Sequence, residues 1–161
     1  MNGTGDNRRA RRLALRREDG AALVEFTLVL PLLLLLLLGM LEFGRVFNYW
    51  IDENHMANVA ARWAAVNTNP GPGGTLADSV QQEADTNELR NGGTTSVPSG
   101  AEVCIEADNW SVGEPVTARV SVDYNWMPLI GNSLGGVTTT TLTGSATMRL
   151  EAVGDIGNHC S

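Results

Sequence analysis

Ala21-Ala22-Leu23-Val24-Glu25-Phe26-Thr27-Leu28-Val29-Leu30-Pro31, running on through seven leucines at Leu32–Leu38 to Gly39-Met40-Leu41, is a stretch of 21 residues with a single charge, Glu25. As a helix it is long enough to cross a bilayer whose hydrocarbon is about 30 Å thick. Fourteen of its residues are Leu, Val or Phe. At roughly −0.3 to −0.6 kcal/mol each near a helix centre, they outweigh the about 2.5–3.5 kcal/mol that one central acid costs, and Glu25 lies near the end of the run. The run is therefore expected to span a membrane over 21–41, and an ionisable residue kept inside such a span points to a function.

Arg8, Arg9, Arg11, Arg12, Arg16 and Arg17 precede the span, and Arg45 alone follows it closely. By the positive-inside bias, residues 1–20 form a basic cytoplasmic leader and the rest of the chain faces outward from a single-pass anchor in the cytoplasmic (inner) membrane. A cleavable secretory signal fits less well, because Gly39-Met40-Leu41-Glu42-Phe43-Gly44-Arg45 offers no small-x-small cleavage site. Beyond Glu42 the chain carries five Arg against thirteen acids, within a net charge of −7 overall. An acidic exported part argues against nucleic acid as a partner, since that binding calls for a basic face. The only cysteines, Cys104 and Cys160, both fall in this part. A disulfide between them is the economical reading in an oxidising compartment, and two unpaired thiols are the alternative.

Past the span, Phe43, Phe47, Tyr49 and Trp50 suit the headgroup level of a membrane. No Gly or Pro interrupts Arg45 to Val66, and Met56, Val59, Trp63 and Val66 recur at helical spacing, with Asp52, Glu53, Asn58 and Arg62 elsewhere around the cylinder. This predicts an amphipathic helical extension over 42–66. Pro31 should kink the membrane helix locally. Asn67 to Gly74, with two prolines and three glycines, ends the helix. Thr75 followed by Asp78 resembles a capping box, which predicts a short helix over about 75–90 stopped by Asn91-Gly92-Gly93. From Ala101 the apolar period becomes two, and strands are expected at about 101–108, 115–126 and 137–152, the last with Val137 to Thr141 as its extension. The fold class is α+β. A long N-terminal helix continues into an amphipathic one that packs on a small antiparallel sheet of three or four strands, with 67–161 as the exported domain and the Met56/Val59/Trp63/Val66 stripe as the sheet's cover.

Residue chemistry nominates no catalytic group and no cofactor. His55 and His159 stand in no ligand spacing and read as exposed polar residues, a site built on His159 and Cys160 being the alternative. Ser145 lacks the frame of a nucleophile elbow and lies in a strand. Glu102, Glu106 and Asp108 share one face of a strand, which reads as solvated, and the four Trp read as core or interface anchors. Glu25 admits two readings. It either snorkels to the headgroups, or serves a chain cut after Gly20, whose new Ala21 ammonium lies one helical turn away. In the second reading the carboxylate pairs with that amine, or with a neighbouring subunit's, and sets the stagger between helices.

The basic leader, Gly20, then Glu25-Phe26, Leu28-Val29-Leu30-Pro31 and polyleucine resemble a prepilin-type signal. Gly20 through Pro31 together with Glu42-Phe43-Gly44-Arg45 is similar to the TadE-like family of tight-adherence (Flp-type) pilus assembly proteins, and Val116 to Tyr124 and Ala146 to Glu151 look like that family's C-terminal close. The resemblance implies a minor pseudopilin cut between Gly20 and Ala21 by a prepilin peptidase, with Glu25, Phe26 and Pro31 in assembly. Its partners would be pilus assembly platform proteins and other pilins or pseudopilins. Phe26 stands where the major pilins of this system have tyrosine, and the exported domain is larger than theirs. The competing hypothesis is a membrane-anchored extracellular binding module whose helix is a plain tether. An anchored hydrolase has no residues to nominate.

Overall fold

The computed structural model describes residues 6–71, 74–128, 135–136, 138–154 and 156–160, with backbone alone over 6–19. Met1 to Gly5 of the leader, Pro72 and Gly73 of the loop, and Val137 of the expected third strand lie outside the described residues. The chain divides into two compact units, 1–41 and 42–161.

Helix α1 (Asp6–Ala65) contributes to both units. Its start at Asp6 takes in the arginine-rich leader, for which no helix was expected; Arg, Ala and Leu are all strong helix formers. The helix also runs through Pro31, which has no N–H to offer the Thr27 carbonyl. Its end comes before the prolines are reached. Asn67 takes a left-handed φ of 51°, its N–H bonds the Ala64 carbonyl at 3.1 Å, and the Thr68 N–H bonds that of Trp63 at 3.0 Å. This is a Schellman closure with asparagine in glycine's usual place.

In the second unit, α2 (Leu76–Gln82) opens on the capping box expected at Thr75 and Asp78. The Asp78 N–H donates to Thr75 Oγ1 at 3.1 Å, and the Thr75 N–H donates to Asp78 Oδ2 at 2.7 Å. The single helix expected over 75–90 is corrected to two, because α2 stops at Gln82 and α3 (Asn87–Asn91) begins anew. A continuous helix would send the Asp85 and Thr86 N–H groups to the carbonyls of Gln81 and Gln82. Instead both donate to the carboxylate of Asp52 on α1, at 3.0 and 2.9 Å.

Four antiparallel strands follow: β1 (Glu102–Ala107), β2 (Pro115–Asn125), β3 (Thr139–Arg149) and the two-residue β4 (His159–Cys160), in the order β3-β2-β1-β4. The period-two pattern of β2 is realised in full, with Val116, Ala118, Val120, Val122 and Tyr124 buried and the alternate residues turned outward. β4 was not foreseen as a strand. It pairs Cys160 with Cys104, and the two sulfurs are bonded to each other.

The 42–65 part of α1 lies along the β2–β3 hairpin. At one end the Met127 N–H donates to Glu42 Oε1 at 3.0 Å, and at the other the Glu151 N–H donates to the Ala65 carbonyl at 2.8 Å. The expected covering stripe of Met56, Val59, Trp63 and Val66 is corrected. Met56 is buried, but Val59 and Trp63 are only half-buried and Val66 is exposed, while Tyr49, Glu53, Ala57, Ala60, Ala61 and Ala64 face the core. The reason is distance. A Cβ on Gly144 of β3 would stand 2.6 Å from the Glu53 carbonyl carbon and 2.7 Å from the Asn54 nitrogen, so helix and strand backbones nearly touch. Past that contact the buried residues are the small Ala57, Ala60, Ala61 and Ala64, and the bulkier Val59, Trp63 and Val66 lie at the flanks or outside.

Gly144→Ala in the full-length, detergent-solubilised protein is expected to destabilise the 42–161 unit by about 1–3 kcal/mol, because both clashing atoms are backbone and no rotamer relieves them. Ser145→Ala, on the exposed face, is expected to stay within about 0.5 kcal/mol of wild type when unfolding is followed by tryptophan fluorescence. Cys160→Ser should cost about 2–4 kcal/mol in the same assay. Alkylation of the native protein without reduction should label neither cysteine.

Candidate functional site

Helical geometry sets Gly20, Ala21, Glu25, Phe26 and Pro31 on one continuous helix, with Glu25 four residues, about one turn, after Ala21. The Glu25 side chain is exposed, and nothing lies within 4 Å of where a Gly20 side chain would project. Around it the apolar residues have no protein cover. Leu23, Val24, Phe26, Leu28, Val29, Leu32 to Leu37, Met40 and Leu41 are between 44 % and 74 % exposed. The core helix of a soluble domain buries such residues. An uncovered apolar cylinder of this length calls instead for lipid or neighbouring helices, and it is long and apolar enough to cross a membrane.

Immediately beyond the span, α1 carries three acids that are withdrawn from water: Glu42, Asp52 and Glu53. The sequence pattern set Asp52 and Glu53 on the helix's polar side, and this is corrected. Each has a different electrostatic solution. Glu42 Oε1 accepts from the Met127 N–H, with Arg45 Nη1 4.0 Å from Oε2. Asp52 accepts three bonds: its Oδ1 from the Asp85 N–H, and its Oδ2 from the Thr86 N–H and from Thr86 Oγ1 at 2.8 Å. Thr86 is the N-cap residue just before α3, and its hydroxyl is spent on Asp52 rather than on capping that helix. Glu53 has neither carboxyl oxygen hydrogen-bonded. Burial pushes it up to about 8, and the adjacent Asp52 carboxylate adds to the effect, so the folded chain favours the protonated form over a wider pH range than a free carboxyl.

The Tyr124 hydroxyl, likewise buried, is pushed up to about 12, first by desolvation and then by the Glu42 carboxylate. Tyr124 stacks between Tyr49 and Trp126, with ring centroids 5.8 and 5.4 Å away, and Trp126 meets Phe43 edge-on at 5.8 Å. An aromatic cluster therefore closes the Glu42 end of the domain. These groups bind α1 to the sheet and offer no nucleophile–base pair. Among the described residues, Glu102, Cys104 and Cys160 are the three metal-type side chains with ligand atoms within 4.8 Å of one another. Both sulfurs are committed to the disulfide and present no thiolate to an ion. His159 pairs with Ile105 across β4 and β1, and Ser145 sits in the middle of β3.

Between its ordinary value of 4.5 and about 8, the folded chain holds a proton on Glu53 that the unfolded chain has released. Stability contributed by this group is therefore full below that window and falls as pH rises through it, by at most about 1.4 kcal/mol per pH unit. Glu53→Gln should flatten the slope between pH 5 and pH 8 in unfolding measured across that range. Glu53→Met, which removes the unpaired polar atoms at similar volume, should raise stability at pH 8.

The chain has no match among curated proteins and none among solved structures. Its family match begins at Gly20 and ends at Arg62, so it takes in the uncovered helix, Glu25 and the buried acids of α1. The stretches of β2 and β3 that resemble the family's C-terminal close lie outside it. Over residues 20–62 this chain matches the family model of TadE-like proteins, and in that helix it is similar to them.

Proposed function

We propose that this chain is a minor pseudopilin-like structural component of tight-adherence (Flp-type) pilus assembly. It is held in the inner membrane by residues 21–41, with its N-terminus inside and its α+β domain outside. The observation that carries the reading is the TadE-like match starting at Gly20, over a helix whose one ionisable residue within the span, Glu25, stands exposed among uncovered apolar side chains. A prepilin peptidase cutting between Gly20 and Ala21 leaves an ammonium on Ala21, mostly charged at neutral pH. Glu25 is one turn from it and pairs with this amine or with that of an adjacent pilin or pseudopilin. In hydrocarbon such a pair removes two costly charges at once and selects one axial stagger between helices, as buried polar pairs do in coiled coils. The buried acids are fully used in holding α1 on the sheet or lie within its core, which supports a structural rather than a catalytic role.

Mature protein isolated from its host is expected to begin at Ala21, as read by N-terminal sequencing, and a chain that still begins upstream of Ala21 overturns the processing claim. Glu25→Gln should insert and be cut normally but abolish complementation of pilus assembly. Wild-type piliation in that variant, with normal membrane levels, would leave the helix as a plain tether for an extracellular binding domain.

A further inference from the structure

The two edges of the sheet are finished differently. At the β1 edge, β4 pairs with Cys104 and Ile105, the disulfide fastens it there, and Asn158 Oδ1 accepts from the Ala107 N–H at 3.0 Å. The Trp110 indole N–H donates to the same Asn158 oxygen at 3.1 Å. The C-terminal residues thus form a covalently held guard over that edge. The opposite edge is β3, eleven residues long. The Trp126 N–H bonds the Thr138 carbonyl, and the Leu150 N–H bonds that of Glu114, so by antiparallel alternation the even-numbered residues of β3 are the ones bonded to β2. Thr139, Thr141, Thr143, Ser145, Thr147 and Arg149 turn their N–H and C=O groups away from it, and among the described residues no backbone group meets them.

Natural sheets guard such edges with charge, proline, bulges or brevity. β3 has none of these along its length: it contains no Pro, its register with β2 is unbroken, and its single charge, Arg149, is at the end. Its inward side is also unfinished. Leu142, Ala146 and Met148 are only half-buried, whereas their neighbours on β2 are closed off completely. The outward side is a row of hydroxyls, with Thr139, Thr141 and Thr147 hydrogen-bonded to Asn125, Asp123 and Thr117 of β2.

The geometry points to β3 as a docking edge for strand addition. Its occupant is an extended, uncharged strand of another polypeptide, with apolar residues at alternate positions to cover Leu142, Ala146 and Met148 and small hydroxyl residues between them. Main-chain hydrogen bonds to the six odd-numbered residues supply affinity, and the apolar alternation sets register. The guard on β1 makes the addition one-sided. This inference does not depend on the pilus reading.

The test is amide hydrogen exchange on the full-length protein in lipid nanodiscs, alone and with a synthetic, end-capped ten-residue peptide copying Thr139–Met148, which has no charged side chain and has the required alternation. Alone, the odd-numbered β3 amides should exchange at least tenfold faster than Thr140, Leu142 and Ala146. The peptide should slow them at least tenfold, while a scrambled peptide of the same composition should not. Thr143→Pro removes an outward N–H and costs no ladder bond, so it should keep the disulfide and the unfolding midpoint yet lose the peptide effect. If proline unfolds the domain, the pair Thr143→Lys and Ser145→Lys should give the same loss in a folded protein. Protection of the odd amides in nanodiscs without peptide, which would mean that lipid or the chain itself covers the edge, overturns the inference. So does equal protection by the scrambled peptide, or no protection by either.

Discussion

Everything in the 42–161 unit rests on how closely α1 approaches β3. Backbone meets backbone at Glu53–Asn54 and Gly144, and no side chain can be interposed there. That single approach dictates the alanine seam of Ala57, Ala60, Ala61 and Ala64, because a helix so near a sheet has room for little more than Cβ atoms. It also accounts for Glu53. The residue at the point of closest approach has its side chain in the core, where burial raises its proton affinity and no hydrogen bond meets its carboxyl oxygens. The domain accepts an unpaired carboxyl at this position, at some loss of stability, and keeps the contact.

The other buried acids on the helix close loops rather than cores. Asp52 reaches across to take the N–H groups that break α2 from α3, and Glu42 takes the N–H of Met127 as the chain leaves β2. Charge-assisted bonds of this kind are stronger than neutral ones and lose more when one partner is removed, so they hold irregular backbone in place where no regular ladder exists. An acid on α1 can therefore be structural while its neighbour one residue away is merely enclosed. The difference is whether an N–H group lies within reach.

The same helix changes character along its length. Over 21–41 its side chains are apolar on every side and uncovered, which water does not tolerate and hydrocarbon does. From Glu42 onward one face is buried, with alanines from Ala57 to Ala65, and the other carries Asn54, Asn58 and Arg62. The TadE-like match spans both stretches and stops close to the helix's end. What the family match covers is thus the helix, and the sheet lies outside it.

Local signals were legible from the sequence alone. The length and apolarity of 21–41, the Thr75–Asp78 capping box, and the period-two alternation of β2 each depend on residues near one another in the chain, so composition and spacing suffice to read them. The α+β class followed from those elements. Tertiary structure decided what depends on distant residues meeting. It chose which face of α1 is buried, since Met56 enters the core while Val59, Trp63 and Val66, apolar enough for a core stripe, lie at its flanks or outside it. It broke the expected 75–90 helix, because the carboxylate that captures Asp85 and Thr86 lies more than thirty residues upstream. It also made a strand of His159-Cys160, two residues too few to show a period, which pair only because β1 offers them an edge and Cys104 a bond.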